Sequence, residues 1–96
     1  MPRGGSHYKS ALSPISFICI APTAQRVSVV GDFNQWDAAT NPMEKHFDGS
    51  WRLMIPLKHG HHQYAFAVDG AITLDPRGQG VSRNPKGERV SLLAVS

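Results

Sequence analysis

The chain has 96 residues, which suffices for one domain with a thin core, because a chain of this length buries only roughly 60 to 65% of its unfolded surface. Its formal net charge of +3 comes from ten Lys and Arg against seven Asp and Glu, with no dense basic stripe, so we expect no nucleic-acid partner. No apolar run approaches the ~20 residues of a membrane span or forms an N-terminal secretory signal, so we expect a cytoplasmic protein with no membrane partner.

The amino-acid composition of the chain changes near Pro14. Residues 1–13 are rich in Gly and Ser and poor in apolar side chains, which is typical of a flexible leader. From residue 14 to residue 96, short β-type runs alternate with turn residues at intervals of about ten positions. This spacing predicts a single all-β domain, a sandwich of six or seven antiparallel strands, without a helix.

The first predicted strand runs from Ile15 to Ala21. Ile15, Phe17 and Cys19 alternate with the neighbouring positions and form its inward face, and Pro22 ends the strand. Because the chain contains one cysteine, no internal disulfide is possible. The apolar surroundings of that cysteine predict a buried thiol without reactivity.

Two further strands follow in the middle of the chain. Arg26–Val30 has two valines facing inward and ends at Gly31, where a turn begins. Trp51–Ile55 follows the hairpin signal Asp48-Gly49-Ser50 and ends at Pro56. Its alternation places Trp51 on the same face as Leu53 and Ile55, which predicts a core position for this tryptophan.

The most regular alternation lies between His61 and Asp69, where every second residue faces the predicted core. These inward residues are His62, Tyr64, Phe66 and Val68. The pair Asp69-Gly70 is a type I′ hairpin signal leading into a strand over Ala71–Leu74. The Gly- and Pro-rich stretch Asp75–Glu88 is predicted as a loop, before a last strand over Arg89–Val95.

The sequence provides no catalytic or metal-binding pattern. His59, His61 and His62 lie close together, but the last two have opposite strand phases, and no cysteine or carboxylate accompanies them. The acidic residues fall mostly in turns, where they cap the backbone, and no nucleophile occurs in a recognisable catalytic context. We therefore expect no enzyme activity, no metal and no cofactor.

Three segments in this order form a specific combination: Val-Val-Gly-Asp-Phe-Asn-Gln-Trp over residues 29–36, Gly-His-His-Gln-Tyr-Ala-Phe-Ala-Val-Asp-Gly over residues 60–70, and Asp75-Pro76. They resemble carbohydrate-binding module family 48, which includes the glycogen-binding domain of the AMP-activated protein kinase β subunit and the N-terminal early set domains of isoamylases and branching enzymes. The resemblance extends from about Ser13 to Val95. It implies a seven-stranded immunoglobulin-like sandwich without catalytic activity.

The resemblance also implies a glycan site. In glycogen-binding members, the tryptophan of the Phe-Asn-x-Trp segment stacks on a glucose ring, and Trp36 matches it here. Stacking suits a pyranose because its C–H face is apolar and slightly positive, whereas the indole face is electron-rich. The alternative for this residue is structural: Trp36 caps one end of the sandwich and packs on the loop over residues 37–43.

Three positions depart from the pattern of the binding members. Ile72 replaces a second tryptophan, Ala65 replaces a lysine, and Val90 replaces an asparagine that binds sugar hydroxyls. The predicted glycan-binding residues are Trp36, Asn34, Gln63, Ile72 and Ser91. A single stack is worth ~1–2 kcal/mol, whereas even a millimolar complex requires about 4 kcal/mol.

Two functions remain open. The first is a non-catalytic module that binds an α-glucan oligosaccharide or polysaccharide weakly. The second is a protein-docking or regulatory early set domain that has lost glycan binding and holds a partner protein or catalytic domain through Ile72 and Trp36. The exchange of Trp and Lys for Ile72 and Ala65 makes this surface less polar, as in the core of a protein interface.

Overall fold

A computed structural model describes residues 12–96, and within this range it contains only strands, turns and loops. No helix in this range is long and apolar enough to cross a membrane. The eight strands are β1 (Leu12–Ile20), β2 (Val27–Gly31), β3 (Glu44–Lys45), β4 (Ser50–Lys58), β5 (Gly60–Val68), β6 (Ala71–Thr73), β7 (Val81–Arg83) and β8 (Arg89–Val95).

The strands form two antiparallel sheets. One has the order β1-β4-β3, and the other has the order β2-β5-β8-β7. Strand β5 is central to the larger sheet: β2 pairs with one edge, while β8 and β6 pair with the first and second halves of the other edge. The prediction of an all-β immunoglobulin-like sandwich is confirmed.

The core lies between the inner faces of the two sheets and follows the predicted alternation. Its buried residues include Phe17 and Cys19 of β1, Trp51 of β4, and Tyr64 and Phe66 of β5. The Trp51 indole N–H donates a hydrogen bond to the carbonyl oxygen of Ala21 at 2.9 Å, which satisfies the polar atom of a buried ring. Burial raises the pKa of the Cys19 thiol, with a smaller contribution from the Asp75 carboxylate, in keeping with a structural role.

Several predicted boundaries were wrong. Strand β1 begins at Leu12, three residues before its predicted start at Ile15; residues 1–11 of the predicted leader lie outside the described residues. Strand β4 continues through Pro56, which faces Pro14 of β1. Two facing prolines can occupy only a non-hydrogen-bonded pair, so the ladder between these strands loses no bond.

Two short strands were not predicted. Strand β3 has two residues, and β7 has three and lies inside the stretch Asp75–Glu88 that was predicted as a loop. Neither strand has an alternating apolar pattern of its own. Each exists because a longer neighbour, β4 or β8, offers it a backbone edge.

The predicted turn after β5 has the expected backbone. Asp69 and Gly70 have φ values of 48° and 87°, and a type I′ turn requires both to be positive. The Asp69 carboxylate accepts hydrogen bonds from the backbone N–H groups of Gln25 and Arg26 at 2.9 and 2.8 Å. This aspartate therefore ties the β5–β6 hairpin to the connection between the two sheets.

Candidate functional site

Trp36 lies in the loop that follows β2, and its backbone is held in an unusual conformation. Gln35 and Trp36 have φ values of 55° and 59°, the left-handed region that non-glycine residues seldom occupy. The carbonyl oxygen of Gly31 accepts hydrogen bonds from the backbone N–H groups of Asn34 and Trp36. A conformation that costs of order 1 kcal/mol per residue and is retained in this way often marks a functional position.

Asn34 holds this loop in place. Its side chain is buried, and its amide oxygen accepts a hydrogen bond from the Gly31 N–H at 3.0 Å. Its amide nitrogen donates to the carbonyl oxygen of Val29 at 2.9 Å and to the side-chain oxygen of Asn41 at 2.7 Å. All the polar atoms of Asn34 therefore have partners within the loop and the end of β2.

The Trp36 indole lies against the outer face of the larger sheet. There Val30, Ala65, Ala67 and Val90 form a small buried group, the outer-face cluster, which is separate from the main core. The half-buried side chains of Trp36 and Ile72 pack on this cluster. Trp36 therefore covers a sheet face, which differs from the structural alternative that it caps the end of the sandwich.

A cleft of about 350 Å³ opens beside the indole. Trp36 and Ile72 contribute apolar surface, and the turn over residues 84–88, which joins β7 to β8, contributes polar groups from Asn84, Lys86 and Glu88. The cleft thus combines one aromatic ring, one branched aliphatic side chain and charges of both signs within a single concave surface.

No residue of the 84–88 turn is among the predicted site residues, because the sequence of the stretch Asp75–Glu88 predicts only a loop. Asn84 is buried and its side-chain oxygen accepts hydrogen bonds from the backbone N–H groups of Lys86 and Glu88 at 3.0 and 2.9 Å. Its amide nitrogen donates to the Glu88 carboxylate at 2.9 Å. The segment Asn-Pro-Lys-Gly is a turn signal, but only the fold brings it next to Trp36.

The other predicted site residues lie in different places. Gln63 lies on the outer face, two residues before Ala65, and its amide nitrogen donates to the Ser82 hydroxyl at 2.9 Å. Ser91 is buried, and its hydroxyl accepts a hydrogen bond from the Asp75 N–H at 2.9 Å. The structure therefore brings together Trp36 and Ile72 at the cleft, with Gln63 on the same face and Ser91 turned inward.

A buried polar network supports the strand that carries Val90. The Tyr64 hydroxyl donates to the Asp75 carboxylate at 2.5 Å, and this carboxylate also accepts a hydrogen bond from the Arg77 N–H. Burial raises the pKa of Tyr64 well above its ordinary value, and the hydrogen bond to Asp75 adds to this effect. Together with the Ser91 hydroxyl, these groups attach the chain after β6 to β8.

The histidines do not form a metal site in the described part of the chain. His62 contacts the carbonyl oxygen of Lys58 through Nε2 at 2.8 Å, and its Nδ1 lies 3.5 Å from the Asp32 carboxylate. Among residues 12–96, no group of three or more His, Cys, Asp or Glu side chains is arranged to hold an ion.

Comparison with known proteins agrees with this architecture. The model of a family described as carbohydrate-binding module 48 (isoamylase N-terminal domain) matches residues 4–92. The chain belongs to this family.

The curated relatives of this carbohydrate-binding module 48 domain are much longer proteins. The 1,4-alpha-glucan branching enzyme GlgB of Bradyrhizobium sp. (strain ORS 278) is 37% identical over 78 residues, which cover 75% of this chain and 11% of the enzyme. GlgB 2 of Xanthomonas oryzae pv. oryzae is 41% identical, covering 74% of this chain and 10% of that enzyme. GlgB of Chlamydia felis is 36% identical, covering 84% and 14%. The chain therefore spans about a tenth of the length of these relatives.

Proposed function

We propose that this carbohydrate-binding module 48 domain is a non-catalytic α-glucan-binding module whose ligand surface is the cleft beside Trp36. The main support is the placement of the indole: a left-handed backbone, two hydrogen bonds to Gly31 and the buried Asn34 side chain hold a large, half-buried aromatic ring at the wall of a cleft. A strained backbone that is retained beneath a solvent-accessible ring favours a binding role in addition to packing.

The chemistry of the cleft matches that of a glucose residue. The apolar C–H face of a pyranose stacks on the indole, and Ile72 extends the apolar surface beside it. Lys86 offers a donor and Glu88 an acceptor for sugar hydroxyls, and both are held by the Asn84 cap. Asn34 and Ser91 contribute indirectly, since their polar groups already bond to the protein.

The magnitude of these contacts predicts weak binding. One aromatic stack contributes ~1–2 kcal/mol, and a few hydrogen bonds at about 0.5–1.5 kcal/mol each bring the sum near the 4 kcal/mol of a millimolar complex. Attachment to a larger protein would raise the effective concentration of the module near its polymer. The relatives named above are branching enzymes of 1,4-alpha-glucan, which favours this glucan as the ligand.

The composition of the cleft favours binding over catalysis and over protein docking. Of the residues that line it, only Glu88 carries a carboxylate, whereas glycoside hydrolysis ordinarily uses two. The charged side chains of Lys86 and Glu88 stand beside the ring, and charged residues are depleted from the cores of protein interfaces. A polar ligand with an apolar face therefore fits better than a protein partner centred on Ile72.

The test uses the two tryptophans as reporters. In a ¹H–¹⁵N titration with maltoheptaose or β-cyclodextrin, we expect the Trp36 indole resonance and the amides over residues 63–67 to shift. The Trp51 indole, bonded to Ala21 inside the core, serves as an internal control and should not move. The Trp36→Ala variant should lose the shifts at residues 63–67.

Two outcomes would contradict the proposal. If saturating oligosaccharide moves neither the Trp36 indole nor the β5 amides, the cleft is not a glucan site. If both indoles move equally, the ligand changes the whole fold. The Ile72→Lys variant tests the docking alternative. That alternative requires the variant to lose binding to a protein partner, and it requires the oligosaccharide to leave the resonances of the wild-type domain unchanged.

A further inference from the structure

Phe47 is the most exposed large apolar side chain among the described residues, and the glucan cleft does not use it. It lies at the tip of the hairpin that joins β3 to β4, with its side chain fully exposed to solvent. An aromatic ring in this position forgoes the burial that a phenylalanine ordinarily obtains on folding. Its bare aromatic face is therefore available for stacking on a ligand.

The turn that carries Phe47 is held rigidly. The Gly49 N–H donates to the carbonyl oxygen of His46 at 3.1 Å and closes a turn with Phe47 in its second position. The Asp48 carboxylate accepts hydrogen bonds from both the backbone N–H and the hydroxyl of Ser50, at 2.9 and 2.6 Å. The backbone that presents the ring is therefore preorganised, and only the side-chain torsions of Phe47 lose freedom when it binds.

The surroundings of the ring are polar. Phe47 borders an open depression of about 490 Å³ that is also lined by Lys45, His46, Asp48 and Pro22. The Lys45 ammonium lies 5.7 Å from the centre of the Trp51 ring, which orients this cation beside the turn. One aromatic face surrounded by donors and acceptors fits a pyranose, whereas the core of a protein interface is depleted of charged residues.

The Phe47 turn is distant from the cleft along the fold. The Trp36 N–H bonds to Gly31 at the end of β2, whereas the Met43 N–H bonds to Val27 at its beginning, and the chain then continues through β3 to Phe47. The rise from Val27 to Gly31 alone separates the two anchor points by about 13 Å. A short oligosaccharide at one site leaves the other free, and a single glucan that contacts both must be long enough to pass from the outer face of the larger sheet to the hairpin of the smaller sheet.

We propose that the Phe47 turn is a second glucan contact, which stacks on a glucose residue of a long chain that is also held at the Trp36 cleft. The inference rests on the proposed function of that cleft. Two linked weak contacts make the second binding step intramolecular, so affinity rises with the length of the glucan. The ligand class is consequently a polymeric α-glucan, in preference to its short fragments.

The experiment compares short and long ligands on the 96-residue chain. Binding of maltoheptaose and of soluble glycogen is measured by titration and by affinity electrophoresis for the wild type and for Phe47→Ala, Phe47→Leu and Phe47→Tyr. We expect Phe47→Ala and Phe47→Leu to weaken glycogen binding by about tenfold, the loss of one stack, without changing the maltoheptaose shifts at Trp36. Phe47→Tyr retains a ring and should bind like the wild type.

Met54→Ser is the matched control. Met54 is also an exposed apolar residue of the smaller sheet, but it lies outside the depression beside Phe47, and its loss should leave glycogen binding unchanged. Unchanged glycogen binding in Phe47→Ala, or an equal loss in Met54→Ser, overturns the second contact while the Trp36 shifts still support the cleft. A concentration-dependent dimer that Phe47→Ala abolishes also overturns it, in favour of a contact between copies of the chain.

Discussion

The Asn34→Ala variant tests whether this side chain holds the Trp36 loop or contacts the sugar directly. Truncation removes three hydrogen bonds, to the Gly31 N–H, the Val29 carbonyl and the Asn41 amide, in a position that is only 5% exposed. Because the partners are left in or near the protein interior, each loss costs about 1 kcal/mol. We expect the free energy of unfolding to fall by about 2–4 kcal/mol, which lowers Tm by roughly 10–30 °C.

Urea unfolding followed by far-ultraviolet circular dichroism measures the loss of stability, and the maltoheptaose titration measures binding on the same samples. Both should decline, because the left-handed backbone of Trp36 depends on the loop. Thr40→Ala is the control in the same loop: it removes one exposed hydrogen bond to Asp37 and should change stability by less than about 0.5 kcal/mol. If Asn34→Ala loses glucan binding with unchanged stability, Asn34 contacts the sugar directly and does not act by holding the loop.

Two further predictions concern the hydrogen bonds that join the sheets and the loops. Tyr64→Phe should destabilise the domain by about 1–3 kcal/mol, since Asp75 loses a buried donor. Because the folded-state pKa of Tyr64 is raised, the contribution of this tyrosine to stability is complete below about pH 10 and is lost as the pH rises further. Urea midpoints between pH 8 and pH 11 should therefore fall less steeply in Tyr64→Phe than in the wild type. Asp69→Ala should cost about 1–2 kcal/mol in the same assay, because the N–H groups of Gln25 and Arg26 lose their acceptor and alanine disfavours a φ of 48°. Asp69→Asn retains an acceptor and tolerates that backbone, so an equal loss in both variants would contradict this explanation.

Alternation along the strands determined the fold class and the core. Phe17, Trp51 and Phe66 occupy the buried positions that their strand phases predict, because a period of two places alternate residues on the face that meets the other sheet. The Asp69-Gly70 turn was also predictable from the sequence, since a type I′ hairpin requires positive φ at both central positions and the pair Asp-Gly adopts it readily. These features depend on residues close together in the chain.

The short strands β3 and β7 were not predictable in this way. Two or three residues have too little pattern to form a strand alone, and they do so only where a longer strand provides hydrogen-bonding partners. The same reason explains the error at Pro56: a proline ends a strand unless it faces a position that needs no hydrogen bond, and only the register with Pro14 establishes that.

The candidate site also has some features that the sequence predicts and others that depend on the tertiary structure. The sequence by itself predicted Trp36 as an aromatic platform with Ile72 near it, through the resemblance that residues 29–36 and 60–70 carry. Tertiary structure alone decided that Asn34 and Ser91 turn their polar groups toward the protein and that the turn after β7 completes the cleft. A hydrogen-bonding side chain can serve a ligand or its own backbone, and the choice depends on which groups the folded chain brings within about 3 Å of it.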